Sequence, residues 1–347
     1  MSFCSSVSLS LVLHLLSVCF YVAPGVGGMD LCVTIKGVSF LLQTGMGILG
    51  NTVVLLAYAH IIFTKSKLLP VDMILCHLAF ANLVLLLTRG VPQTMTVFGR
   101  TNLLNDPGCK VVIFSYRMSR ALSVCLTCML SVFQAVTVAP AGPRLSKLKS
   151  ALHSLVFLTF AGLWLLNSAI YFQTFFHAMA PRNGTIPAFT LNLGFCHLDF
   201  KNNLNYVIKG VLASGRDFFF VALMVASSGY ILLLLHRHSR QVRAMRRSQG
   251  SGVESRAVKT VVTLVVLYVF FFGIDNVIWI YMLTEAKVSP VVTDMKVFFS
   301  SCFAFLSPYF IISSNKKVKA KVLCAAELDR PPSMDTQESR DKGLSLS

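Results

Sequence analysis

An all-α bundle of seven membrane-crossing helices is the fold this sequence predicts, and three observations predict it. The 347 residues are 55% hydrophobic and 13% charged, whereas a soluble domain carries about 25% charged residues. Such a chain cannot cover its own surface with polar groups, which points to a membrane protein. Seven apolar stretches each supply the ~20 residues that a helix needs to cross the hydrocarbon. The basic residues fall in alternate connections between those stretches. Barrel strands would alternate apolar and polar residues, so the unbroken runs exclude a barrel.

The stretches follow in order. Val38–Ile62 opens the bundle, and Lys65 and Lys67 follow it. Val71–Gln93 is second and carries His77, read as a packing or polar-contact residue. Val111–Val138 is third, and Arg144, Lys147 and Lys149 follow it. His153–Phe175 is fourth and Val207–Leu235 is fifth. A basic connection, His236–Arg256, leads to the sixth, Ala257–Leu283, and Met295–Ser313 is the seventh. Lys316, Lys317, Lys319 and Lys321 come next, while the other connections hold only Arg100, Lys110, Arg182, Lys201 and Lys287. This asymmetry places the amino terminus outside and the carboxyl terminus in the cytoplasm. The net charge of +17 therefore records topology in a lipid bilayer and not nucleic-acid binding.

Residues 38–313 thus read as one seven-helix domain, between an extracellular segment, 1–37, and a cytoplasmic tail, 314–347. Within the first segment the run SLSLVLHLLSVCFYV is short for a span and lacks the basic flank of a good signal peptide. It reads either as a poor leader or as sequence upstream of a start at Met29. In the tail, NKKVKAKVLCAAEL suits a basic amphipathic helix on the inner leaflet, with Cys324 either a plain thiol or an acylated one. The polar residues from Glu327 onward read as disordered.

Two features of the expected outer face agree with that topology. Asn183-Gly184-Thr185 is a glycosylation sequon between the fourth and fifth stretches. Cys196 shares its connection, and Cys109 opens the third helix; in an oxidising compartment the two are expected to bridge and pin the connection over the bundle. Cys76, Cys125, Cys128 and Cys302 lie within the spans as small apolar fillers. No paired CxxC spacing calls for a metal, and nothing calls for a cofactor.

The charges inside the spans carry the chemistry. Arg117 and Arg120 stand in the third stretch, whose Leu, Ile, Val and Phe residues number twelve between Val111 and Val138. Each such residue contributes about 0.3–0.6 kcal/mol to insertion, and a central arginine costs about 2.5–3.5. Two arginines nearly cancel the whole stretch and need compensation. Three residues apart, they share one helix face, at depths of roughly 12 and 16 Å below Cys109. Arg216, Asp217 and Asp275 reach a similar level, with Arg216 and Asp217 expected to point apart as adjacent residues on a helix. The aspartates are expected to lock the third, fifth and sixth helices through arginines. The other reading leaves one cation available to a ligand with a negative or strongly polar group, and the two overlap, because a lock that a ligand breaks is also a switch.

An ion path through these charges would make the chain a channel or transporter. The odd number of stretches without inverted repeats weighs against that reading. No HExxH, GxSxG or aspartate dyad supports an enzyme.

The sequence resembles the vomeronasal type-1 receptors, pheromone receptors of the G protein-coupled class, from Gly37 to Lys321. KGVSFLLQTGMGILGN, HLAFANLVLLLTRGVPQT, CMLSVFQAVTVAP and RDFFFVALMVASSGYILLLLHRHSRQV carry the likeness. The Arg117/Arg120 pair follows the family pattern, with Tyr116 standing where a histidine is expected. Compared with common rhodopsin-like receptors, Asn82 replaces the sodium-binding aspartate and Val132-Phe133-Gln134 replaces the acidic-Arg-Tyr triplet. Ser307-Pro308-Tyr309 stands in place of their Asn-Pro-x-x-Tyr. Asp275 is not part of the family pattern. The resemblance implies a plasma-membrane receptor for a pheromone-like small molecule, and the intramembrane charges Arg117, Arg120, Arg216, Asp217 and Asp275, with Tyr116, are the residues expected to contact it. It also implies a heterotrimeric G protein of the inhibitory class, and the inner-end residues Phe133, Gln134, His236 and Arg237 are expected to face it.

Overall fold

The computed structural model describes residues 26–64, 68–100, 103–140, 143–181, 190–200, 202–245, 252–284, 290–315 and 317–322. Seven of its helical segments are long and apolar enough to span a membrane: Val33–Phe63, Pro70–Val97, Asp106–Val138, Leu155–His177, Val207–Leu234, Thr260–Met282 and Val292–Ser314. They match the stretches expected from sequence, with ends shifted by a few residues. The helices overrun the hydrocarbon because backbone groups satisfied within a helix have no reason to unwind at the interface.

Helix α1, Val26–Phe63, opens the bundle. Helix α2, Pro70–Leu85, begins where Pro70 fixes φ and the Leu69 amide donates to the Asp72 carboxylate (3.3 Å). The second span then widens into a π-turn at Leu86–Gly90 before resuming as α3, Val91–Val97. Pro92 accounts for the widening, since it has no N–H to donate and its ring crowds the carbonyl four residues earlier.

Helix α4, Asp106–Val138, is capped by the Asn105 side chain, which accepts from the Gly108 amide (2.9 Å). Helix α5, Pro143–Tyr171, and the single turn α6, Thr174–His177, form the fourth span. Helices α7, Asn203–Met245, and α8, Gly252–Thr284, are the fifth and sixth. Helix α9, Pro290–Ser314, is the seventh and contains Pro308.

The third and seventh spans are each 67% buried, and the fourth and fifth only 28%; α4 is therefore the axis, packed against α2, α5, α7 and α8. Leu49, Leu158, Leu165, Phe219, Leu233 and Val277 are exposed on the outer surface, the arrangement hydrocarbon requires. Gly50 is needed where α1 meets α9, because a Cβ there would lie 2.9 Å from the Pro308 ring. The four remaining cysteines named above are free, and three are buried. His77 stacks on Phe160 with ring centroids 4.4 Å apart, in keeping with a packing role.

One end of the bundle is covered by a small antiparallel sheet of order β1-β3-β2, built from Ala178–Met179 (β1), Thr190–Asn192 (β2) and His197–Asp199 (β3). The Cys109–Cys196 disulfide, with Cα atoms 5.7 Å apart, ties this sheet to the top of α4 as expected. Phe195, Leu198 and Phe200 pack with Ile113 into a separate apolar cluster beneath it. A bridge over such a loop contributes about 2–4 kcal/mol. Cys196→Ser is expected to lower the melting temperature of the purified receptor by roughly 5 °C or more; an unchanged melting curve would mean that the apolar cluster alone holds the cover.

Candidate functional site

The site is assembled from charges that the spans carry below the covered end. On α4, Arg120 donates from Nη2 to Asp275 Oδ2 of α8 at 2.8 Å. This pair joins the third and sixth spans, as the expected lock requires. The second carboxylate oxygen, Oδ1, is buried with no hydrogen-bond partner. A cavity of about 30 Å3, room for about two waters, adjoins the pair and is lined by Arg120, Ser123, Tyr268, Asp275 and Ser300 among others.

The other acidic residue behaves differently. Arg216 donates to Asp217 Oδ1 from both Nε (3.1 Å) and Nη2 (2.5 Å), and from Nη1 to Asn167 Oδ1 at 2.9 Å. Its guanidinium also lies over the Tyr171 ring, 5.1 Å from the centroid. The sequence expectation that the two side chains point apart, with Asp217 bracing the third helix, is thereby corrected. Cβ directions do diverge, but a long arginine stem curls back over its own helix to the next residue's carboxylate. The resulting unit ties the fifth span to Asn167 of the fourth.

One cation escaped the sequence reading. Arg89, on the π-turn, is buried between the rings of Tyr116 (5.3 Å) and Phe195 (5.4 Å), and its Nε and Nη1 have no hydrogen-bond partner. An unsatisfied buried donor costs about 1–3 kcal/mol, more when charged. Such a group needs a partner beyond the protein's own atoms, which a water, an ion or a ligand can supply. The signal was present in sequence: an arginine inside an apolar run, subject to the same cost as Arg117 and Arg120. Nearby, Lys36 pairs with Asp294 at 2.9 Å, closing α1 against α9, and Lys296 lies over the Trp279 ring at 6.0 Å.

Deeper in the bundle, Asn82 donates to Ser307 Oγ and accepts from Ser123 Oγ, both at 2.8 Å. Three spans meet there on neutral groups, at the level where common rhodopsin-like receptors use a carboxylate. Asn51 adds a bond to the Ala304 carbonyl at 2.9 Å. At the uncovered end, Ser131 and Ser228 bond α4 to α7 at 2.9 Å. Phe133 and Gln134 are buried beside them (9% and 4% exposed), whereas His236 and Arg237 are exposed. Asp72 accepts from Lys317 (3.1 Å) and Asn315 (3.0 Å), fixing the chain that leaves α9 to the start of α2. Asn183 and Cys324 lie outside the described residues.

Seven spans around a central third helix, covered by a disulfide-tied sheet, define a receptor bundle of the G protein-coupled architecture. Squid rhodopsin superposes with a TM-score of 0.64 at 17% identity, covering 88% of this chain and 89% of its own. The model of the vomeronasal organ pheromone receptor family matches residues 34–324, and the chain belongs to that family. It is a chemosensory receptor of the G protein-coupled class and a multi-pass protein of the plasma membrane. The zebrafish (Danio rerio) olfactory receptor class A-like protein 1 is 66% identical over 90% of this chain and 100% of its own length. Human vomeronasal type-1 receptor 1 is 33% identical, over 82% of this chain and 81% of its own length.

Proposed function

We propose that the chain is a pheromone receptor whose ligand is a small molecule bearing an acidic or strongly polar group, bound beneath the disulfide-tied cover. The observation that carries this is Arg89: a buried guanidinium with two unpartnered N–H groups, held between Tyr116 and Phe195. The ligand's anionic group meets Arg89 first and then competes with Asp275 for Arg120. Tyr116 lies one turn of α4 above Arg120 and between the two cations, and so reads the shape of what joins them. Arg216 and Asp217 brace the fifth span from behind.

The covered end faces outward in this reading, with the amino terminus and Asn183 on that side and the tail in the cytoplasm. Loss of the Arg120–Asp275 bond frees α8 from α4, since a ligand moves an equilibrium only by its preference for one state. The inner ends then part, and Phe133 and Gln134, buried in the resting packing, are presented with His236 and Arg237 to an inhibitory-class G protein.

A screen of odorous and steroid-like acids tests this in cells expressing the chain with a suitable G protein. The expected result is a toxin-sensitive fall in cyclic AMP with no ligand-gated current in cells that lack other channels. Arg120→Ala is expected to remove the evoked response while the receptor still reaches the surface. A ligand-evoked current without any second-messenger change would instead favour an ion path through the same charges.

A further inference from the structure

Arg117 does not share the chamber of Arg120. It lines a groove on the other flank of α4, together with Tyr171, His177, Phe200, Lys209 and Leu212. None of the residues lining the groove is acidic. Arg120 and Arg216 have carboxylate partners within 2.8 and 2.5 Å; among the described residues Arg117 has none. An uncompensated guanidinium at such depth is costly, and intramembrane charges persist where they are paired or used.

Lys209 and His177 complete the cationic wall. The His177 ring lies 2.7 Å from the Gln173 carbonyl through Nδ1, so that nitrogen donates and Nε2 is left to accept from the Lys209 ammonium at 3.2 Å. Lys209 also rests over the Phe200 ring, 5.7 Å from its centroid. It stands two residues inside the fifth span, which begins at Val207, and six residues inside α7, which begins at Asn203, so about 9 Å below the covered end of that helix. Beside the groove the surface of α7 is apolar: Leu212, which lines it, is 57% exposed and Ile208 on the same helix 53%, as a lipid-facing surface requires.

We infer that this groove is a lateral site for an anionic amphiphile. Its sulfate or phosphate head sits between Arg117 and Lys209, and its apolar body runs out along Leu212 and Ile208. The site is separate from the cavity at Arg120 and Asp275 and stands or falls independently of the ligand site proposed there. Both cations donate to oxyanion oxygens, and charge-assisted bonds of this kind are the strong ones. The two possible sources, a bilayer lipid and a dissolved amphiphile, share that head chemistry.

Purified full-length receptor in nanodiscs distinguishes them. In mixed phosphatidylcholine and phosphatidylglycerol discs, native mass spectrometry is expected to find phosphatidylglycerol retained on the wild type at least fivefold more than on Arg117→Gln/Lys209→Gln. Lys209→Arg, which keeps the charge, is expected to retain it. In pure phosphatidylcholine discs, decyl sulfate is expected to raise the melting temperature of the wild type but not of the double variant if the source is dissolved. Ala213→Trp fills the groove with both cations in place and should lose either ligand, so it decides the matter if the double variant fails to fold. Retention of neither anion by the wild type, or equal retention by Ala213→Trp, overturns the site.

Discussion

Asp275→Asn is expected to raise ligand-free G protein activation about tenfold while leaving a ligand-evoked response in place. The argument starts from the bond between Arg120 Nη2 and Asp275 Oδ2 at 2.8 Å, which joins α4 to α8 across the bundle. Asp275 is buried but the Arg120 side chain is 27% exposed, so the pair is weaker than one sealed in hydrocarbon. Removing one partner of a fully buried pair costs about 3–5 kcal/mol; a third of that, about 1.4 kcal/mol, is a factor of ten in an equilibrium. If the bond exists in the resting packing and not in the signalling one, its loss shifts the population toward signalling by that factor. Asparagine keeps the shape of the side chain and removes its charge, so helix packing is preserved. The comparison with Arg120→Ala separates two roles. Both variants lose the lock, but only the arginine variant also loses the ligand contact. Basal cyclic AMP in transfected cells, normalised to surface receptor, is the measurement; basal levels equal to wild type would show that the pair does not hold the resting state.

Arg89→Gln is expected to act in opposite directions on stability and on response. The two unpartnered N–H groups of Arg89 make it a liability in the empty receptor, worth about 1–3 kcal/mol. Glutamine removes the charge and part of that penalty, so the melting temperature of the purified, ligand-free receptor should rise. The same change removes the donors offered to an acidic ligand. Bonds to a charged group contribute about 1.5–3 kcal/mol, so potency for an acidic agonist should fall by roughly tenfold to a hundredfold. For the neutral ester or alcohol of the same compound the change should be small. A fall in both stability and response would place Arg89 among the packing residues.

The spans were legible because length and apolarity alone decide whether a segment crosses a bilayer, and the disulfide because two cysteines lay on one expected side. The presence of Arg120 in the bundle interior was legible from cost, since an apolar stretch of that size cannot carry two free arginines. Which carboxylate meets which arginine was not. The Asp217 pairing turns on rotamers, and the stem of Arg216 is long enough to reach a neighbour that helix geometry directs elsewhere. Arg89 was missed for a related reason. Four residues from the end of its apolar run, an arginine ordinarily lifts its head to the interface. Here the π-turn carries it inward instead, beneath Phe195 of the cover.

That π-turn has a consequence for anyone counting along the second span. A widened turn accommodates about one residue more than an α-turn, and each residue of an α-helix advances the azimuth by about 100°. Everything from Gly90 to Val97 is therefore out of phase with a ruler laid from Asn82. A single-residue deletion near Leu87 would restore regular winding. A chain lacking one residue here would wind regularly and present the residues beyond Gly90 on the same face, with every number shifted by one.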